Sequence, residues 1–395
     1  MPATSDQRLA LIQSLHAAPL QLVLQVTGGG SLAISDLLTI PGGSKILLAA
    51  GVPYSEAALE ELLGKAPEQA CSESTARQMA MAAFQQARTY AAQDSSRAVG
   101  LACTASLASD RPKRGEHRIH AALQTADRTA SWSLTLDKDK RTRGEEERLA
   151  ADLLLCLLAA NFGELTKTYA LPLDFLPGDA LKNSHYAASH VLAKILLSEP
   201  IVIRKNRDVL VGYEELPTTA RENLLIFPGS FAPWHTGHQE MAALAEARTN
   251  KPVHYEIAVR NVDKPALDFL EIDQRLRQFP DPARVLLTTA PTFAEKARLF
   301  PGATFVVGAD TVRRIGEPRY YGNQVAVMVR AIEAIAVSGC RFLVFGRVNS
   351  HGSFATLDRL QLPAALVALC EEVPEAEFRR DVSSTELRNR ANDPR

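Results

Sequence analysis

Two histidines set three residues apart carry the first chemistry visible in this chain. They lie in Leu224-Leu225-Ile226-Phe227-Pro228-Gly229-Ser230-Phe231-Ala232-Pro233-Trp234-His235-Thr236-Gly237-His238. An apolar run leads into a Gly/Ser turn, and the turn leads into a helical pattern. The i, i+3 spacing of His235 and His238 puts both imidazoles on one side of the first helical turn. Free backbone N–H groups and the positive end of the helix dipole make that turn a ready anion site. Imidazoles beside it can donate hydrogen bonds to phosphate oxygens, and Gly237 lets a phosphate approach the backbone. The bland alternative is a strand–turn–helix with two incidental surface histidines. The apolar run and the Gly229-Ser230-Phe231 turn before them argue against it.

A second candidate stands near the C-terminus, in Asp381-Val382-Ser383-Ser384-Thr385-Glu386-Leu387-Arg388. Ser383 and Glu386 fit a capping box, which explains a helix start and nothing more. Ser384 and Arg388 are i, i+4 and share a face. Arg388 is permanently charged and can hold phosphate oxygens bidentately. With Thr385 beside these serines, a second helix N-terminus facing the first would close a triphosphate between them. The third candidate is Phe305-Val306-Val307-Gly308-Ala309-Asp310, an apolar strand that ends in a glycine and a carboxylate. Placed at the C-terminal end of a strand in a doubly wound sheet, Gly308 and Asp310 would face the ligand crevice, and Asp310 could accept from ribose hydroxyls.

The elements that must position these groups read as α/β. From Asn223 onward, strand patterns at Leu224–Phe227, Val253–Val259, Arg284–Thr289, Thr304–Val307 and Arg341–Phe345 alternate with helical stretches, the order of a doubly wound parallel sheet, Rossmann-like in type. A separate α/β alternation precedes it. Strand patterns fall at Leu20–Val26, Lys45–Val52, Ala98–Thr104, Arg118–Leu123 and Ala130–Leu136, with helices near 8–17, 56–64 and 73–90, and a last one ending near Ala160. Between them, 166–222 reads as a connecting region, with a helical pattern at Ala187–Leu197 and a hairpin pattern at Ile201–Val211. The chain therefore divides, on sequence, into domains at 1–165 and 223–395 joined by that connector.

Length and composition bound what such a chain does. At 395 residues the prior is two domains, and 46% hydrophobic with 23% charged residues is ordinary for a soluble globular protein. A net charge of -1 argues against a standing grip on nucleic acid. No run is long and apolar enough for a membrane span, and the N-terminus lacks the basic-then-apolar order of a secretory signal. Five scattered cysteines show no metal-type spacing and read as reduced thiols of a cytoplasmic protein.

Taken together, residues of about 223–390 resemble the HxGH nucleotidyltransferase superfamily, with its terminal ISSTxxR-type motif standing here as VSSTELR. Class I aminoacyl-tRNA synthetases share HxGH but pair it with a lysine-rich KMSKS-type loop, which this chain lacks. Within the superfamily, the Gly308–Asp310 segment is similar to the GxD segment of nicotinamide or nicotinate mononucleotide adenylyltransferases. Tyr320 and Tyr321 occupy roughly the place of that family's usual pyridine-stacking Trp, Arg347 follows a strand that fits its pattern, and Ala232 departs from the usual Asn or Asp.

The resemblance implies His235, His238 and Arg388 as catalytic groups, and Gly229, Ser230, Phe231, Gly237, Gly308, Asp310, Ser383, Ser384 and Thr385 as the ATP site. It implies Lys264, Tyr320, Tyr321 and Arg347 as candidates for the acceptor. ATP is then a substrate, and magnesium comes bound through its phosphates, with no dedicated protein metal site. The expected reaction is transfer of AMP from ATP to a small mononucleotide with release of pyrophosphate. Adenylyl or cytidylyl transfer to another phosphate acceptor stays open, as does a non-catalytic nucleotide-sensing scaffold.

Residues 20 to about 160 resemble the C-terminal domain of the competence-induced CinA family, some of whose members deamidate nicotinamide mononucleotide. The matching stretches are Thr27-Gly28-Gly29, Ile40-Pro41-Gly42-Gly43-Ser44, Gly51-Val52-Pro53-Tyr54-Ser55 and Val99–Thr104. The family's catalytic serine position is Gln25 here and its lysine position is Leu59, while Tyr54 is retained. Gln and Leu supply neither nucleophile nor base, so amide hydrolysis by that route is expected to be lost. The resemblance also implies a homo-oligomer assembled through this domain. Gly28–Gly30 offer either a phosphate cradle at a helix start or a tight strand-to-helix turn. The basic stretch Arg111–Arg118 reads as a solvated loop.

Overall fold

The computed structural model describes residues 3–91, 94–110, 114–162, 171–197, 202–206, 209–212, 218–261, 265–280, 284–348 and 354–379. They form two compact units, one of 1–196 with 263–272, the other of 197–262 with 273–395.

The first unit runs α1 (Ser5–Ala17), β1 (Gln21–Thr27), α2 (Leu32–Thr39), β2 (Leu47–Gly51), α3 (Glu56–Leu63), α4 (Glu73–Tyr90), β3 (Ala98–Ser106), β4 (Arg118–Gln124), β5 (Arg128–Thr135), α5 (Arg143–Asn161), β6 (Ala180–Ala187) and α6 (His190–Leu197). Its six strands lie in the order β2-β1-β3-β4-β5-β6. β1 is parallel to β2 and β3, and β3 to β6 form an antiparallel meander. β1 and β3 are buried almost throughout, as a central strand covered on both faces must be. On α4, Ala76, Ala80, Ala83 and Ala87 present a buried small-residue face. That face lets α4 lie so close to β3 that a Cβ on Gly100 would meet the Ala80 carbonyl oxygen at 2.0 Å. Thr142 and Glu145 start α5 with a reciprocal capping box, and nearly every residue from Leu149 to Ala159 is buried.

The second unit holds β7 (Val202–Asn206), β8 (Val209–Gly212), β9 (Leu225–Pro228), α7 (Thr236–Thr249), β10 (Val253–Ala258), β11 (Val285–Thr288), α9 (Phe293–Leu299), β12 (Thr304–Gly308), α10 (Ala309–Ile315), α11 (Val325–Val337), β13 (Arg341–Phe345), the small pair β14 (Arg347–Val348) and β15 (Phe354–Ala355), and β16 (Cys370–Val373). The helix α8 (Phe269–Leu276) precedes β11. The sheet order is β16-β13-β12-β9-β10-β11-β7-β8. The six strands from β16 to β11 are parallel, and β7 with β8 adds an antiparallel edge. The first strand of the parallel set, β9, sits in its middle. Later strands build outward on one side through β10 and β11, and on the other through β12, β13 and β16. That is the doubly wound α/β order expected from the sequence, with its switch point between β9 and β12.

The stretch 166–222, read from the sequence as a connecting region, takes part in both sheets through its described residues. It supplies β6 to the first sheet, and β7 and β8 to the second. β6 (ALKNSHYA) is largely exposed, because an edge strand needs backbone partners and no apolar face. Without apolar alternation it left no strand signature. Residues 265–272 also belong with the first unit. Phe269 is fully buried there, its N–H donates to the Thr129 hydroxyl at 3.0 Å, and Asp268 pairs with Arg77 at 3.0 Å. Among the described residues no helix is long and apolar enough to cross a membrane. All five cysteines are free thiols.

Candidate functional site

The histidine segment folds as strand, turn and helix, with one difference from the expectation. α7 begins at Thr236, so His235 is its N-cap in extended backbone and only His238 stands in the first turn. The pair still meets. The ring centroids are 3.8 Å apart with planes 28° apart. The His235 backbone N–H donates to His238 Nδ1 at 3.2 Å. An Nδ1 that accepts leaves the proton of the neutral ring on Nε2, so His238 offers one N–H donor. Burial, and then the neighbouring His235, push its pKa down to about 4. Gly237 has a role the sequence did not reveal: a Cβ there would lie 3.1 Å from the His235 ring, so the glycine makes room for that imidazole.

This depressed pKa sets an expected titration. A ring-carbon NMR titration should place the His238 midpoint near 4, and a midpoint at the ordinary 6.5 would contradict the packing. The unfolded chain protonates this ring near 6.5 and the folded chain near 4. The unfolded state therefore holds more protons between those values, and this group's contribution to stability falls as pH drops through that window.

The turn before α7 is held by an aromatic cluster. Phe231, buried and left-handed at φ 45°, meets Phe227, Tyr255, Phe279 and the His238 ring with centroids 5.1–5.6 Å away, all near edge-to-face. Trp234 lies against Phe279 at 5.0 Å. Gly229 lies under the Phe231 ring, where a Cβ would approach Cζ to 2.6 Å, and its N–H donates to the Glu256 carbonyl at 2.9 Å. Ser230 is exposed.

Gly308 ends β12, the sheet neighbour of β9, and a Cβ on it would meet open space. Gly229 and Gly308 thus mark the carboxyl ends of the two strands that flank the switch point. Asp310 opens α10, with its side chain 56% exposed and 3.5 Å from Arg313. The two tyrosines implied for the acceptor each have a partner inside this unit. The Tyr321 hydroxyl donates to the Ile315 carbonyl at 3.1 Å and its ring packs against the core of the unit. Tyr320 lies beneath the Arg319 guanidinium, 4.8 Å from its ring centroid. Lys264, Ser383, Ser384, Thr385 and Arg388 lie outside the described residues, as does the Arg347 side chain. Sequence reasoning missed Tyr255 of β10 and the adjacent Gln278 and Phe279 that follow α8, which stand in no motif spacing to the histidines.

In the first unit the glycine run resolves toward the turn. Gly28 and Gly30 have φ of 74° and 91°, open to glycine at little cost. The anion position at the start of α2 is filled by the chain's own Glu147, which accepts from Gly30 N–H at 2.9 Å, Ser31 hydroxyl at 2.8 Å and Leu32 N–H at 3.1 Å. A Glu147→Gln substitution keeps the shape but loses the charge and presents an N–H to donors. We expect it to cost about 1–3 kcal/mol in denaturant unfolding of the first unit, the size of losing hydrogen bonds to a charged group. An unchanged midpoint would contradict this role of Glu147.

Gln25 is buried and donates to Gln86 at 3.0 Å. Leu59 is a core residue beside Leu63 and Met79, and Tyr54 is 71% exposed.

No protein-family model matches the chain, and no curated protein does. Among solved structures, similarity is found to a CinA superfamily protein of Escherichia coli, at 20% identity and a TM-score of 0.32, covering 39% of this chain and 87% of that one. It is also found to a competence/damage inducible protein of Agrobacterium tumefaciens, at 22% identity and a TM-score of 0.32, over 40% and 98%. A third is the competence damage-inducible protein A of Klebsiella pneumoniae, at 15% identity and a TM-score of 0.29, over 40% and 96%.

Proposed function

We propose that the second unit transfers the adenylyl group of ATP to nicotinamide or nicotinate mononucleotide and releases pyrophosphate. The observation that carries this reading is the stacked His235–His238 pair at the start of α7, beside the switch point of a doubly wound sheet. Ligands bind such sheets in the crevice outside the carboxyl ends of the strands. There the His238 Nε2–H and the first N–H groups of α7 form a donor set for phosphate oxygens. An acceptor phosphate oxygen attacks the α-phosphorus of ATP in line, the bond to the bridging oxygen breaks, and that oxygen leaves with pyrophosphate. No covalent enzyme intermediate is needed, so catalysis is positioning and charge stabilisation. In this reading Ser383, Ser384, Thr385 and Arg388 close on the triphosphate from the other side, and Asp310 accepts from the ribose.

Magnesium fits this site only as a passenger of the phosphates. It is a hard cation that prefers oxygen, and the histidine pair supplies nitrogen. Phosphate oxygens and water would hold it, and its charge would offset that of the triphosphate.

The first unit is read as a CinA-like domain without amide hydrolysis, and as the place of self-association. The Gln25–Gln86 bond and the buried Leu59 support the first part, since both family positions are spent on structure. Sedimentation of the full chain tests the second, and a monomer would end it.

The test of activity is a pyrophosphate-release screen with ATP over nicotinamide and nicotinate mononucleotides, phosphopantetheine and phosphoalcohols, with ammonia followed in the same reactions. Release with a mononucleotide and no ammonia above control is expected. Release with another acceptor would reassign the substrate, and ammonia would overturn the reading of the first unit.

A further inference from the structure

We infer that Gln278 is a positioning residue for the histidine site, its carboxamide clamping both ends of the turn from Phe231 to Trp234. The Trp234 N–H donates to Gln278 Oε1 at 2.8 Å, and Gln278 Nε2 donates to the Phe231 carbonyl at 3.0 Å. The two partners fix the orientation of the amide, because a backbone N–H only donates and a carbonyl only accepts. One side chain thus ties the residue that ends the Gly229-Ser230-Phe231 turn to the residue just before His235. This span needs such a tie. It carries a non-glycine residue in the left-handed region, which is sparsely populated and persists only where its surroundings hold it. Phe279, the next residue along, packs on both Phe231 and Trp234, so backbone and rings are gripped from one short segment.

The consequence follows through His235. As the N-cap, its position is set by the chain entering α7, and its N–H in turn fixes the His238 ring through Nδ1. Loosening Gln278 should shift both imidazoles without touching either. Misplacing a catalytic group by about 1 Å can cost roughly a hundredfold in rate. This inference rests on the adenylyltransferase reading for its kinetic part only.

The test uses the full chain with Gln278→Ala and Gln278→Glu. The second variant is nearly isosteric and keeps an acceptor for the Trp234 N–H, but turns a carboxylate toward the Phe231 carbonyl. A side chain that merely filled space would tolerate it, and it serves if the alanine variant does not fold. Two readouts are taken: amide exchange over the peptide spanning 229–240, and turnover with ATP and nicotinamide mononucleotide. We expect exchange to quicken at least tenfold, and kcat to fall about ten- to a hundredfold while the KM for ATP moves less than about threefold. Unchanged exchange overturns the clamp, whatever turnover does. Faster exchange with normal kcat overturns the positioning role. If the unaltered chain turns over no nucleotide, the adenylyltransferase reading fails, and exchange alone still decides the clamp.

Discussion

Replacing His238 by alanine should lower turnover by about two to three orders of magnitude, the usual cost of removing a preorganised transition-state donor. The ring is neutral at physiological pH and its Nε2–H is the free donor beside the α7 N-terminus. A neutral donor of this kind works across the pH range above its depressed pKa, so the defect should be equally deep at pH 6 and pH 8. The fold should survive. His238 is half-buried, and its loss removes a single hydrogen bond from the His235 N–H, worth about 1 kcal/mol at a helix start. Turnover within about fivefold of the unaltered chain would remove His238 from the mechanism.

The largest expected effect on stability lies on the other face of the same sheet. Lys296 of α9 donates to Glu256 Oε1 at 2.6 Å and to the Ala290 carbonyl at 2.8 Å, and the Thr288 hydroxyl also donates to Glu256. Both charges are essentially excluded from water, at 4% and 1% exposure. Lys296→Met leaves a buried carboxylate with a hydroxyl for company and should cost about 3–5 kcal/mol. Adding Glu256→Leu should recover most of that loss, because an apolar pair of similar volume often matches a buried ion pair. The readout is Trp234 emission during urea unfolding, in a Trp132→Phe background that leaves Trp234 as the one tryptophan. A loss below about 1 kcal/mol, or a double variant no better than the single one, would show that the pair is not what holds this layer.

What could be read from sequence divides along physical lines. Strands buried on both faces are continuous apolar runs, so β9 to β13 were legible, and with them the doubly wound order. Edge strands are specified by backbone pairing, so β6 left no signature, and β16 (CEEV) little more. Three consecutive glutamates in the first turns of α5 do different work. Glu145 completes the capping box, buried Glu146 accepts from the Ala108 N–H and bonds His117, and Glu147 fills the glycine turn. Charge in sequence does not say which partner the fold will bring. The same holds at the candidate site. His235 and His238 were legible because residues three apart meet at a helix start, here as N-cap and third helical residue. Tyr255, Gln278 and Phe279 converge on them only through tertiary packing, which no local spacing encodes.

Transfer of an adenylyl group is decided by the fate of the α-phosphate. The full chain is incubated with magnesium, nicotinamide mononucleotide and ATP labelled at the α-phosphorus, and the products are separated by charge and mass. The label is expected to move into a dinucleotide whose mass equals ATP plus the mononucleotide less pyrophosphate, and His238→Ala is expected to slow its appearance in proportion to turnover. Label that stays in ATP, or leaves as free AMP with no dinucleotide formed from either the amide or the acid mononucleotide, would contradict it.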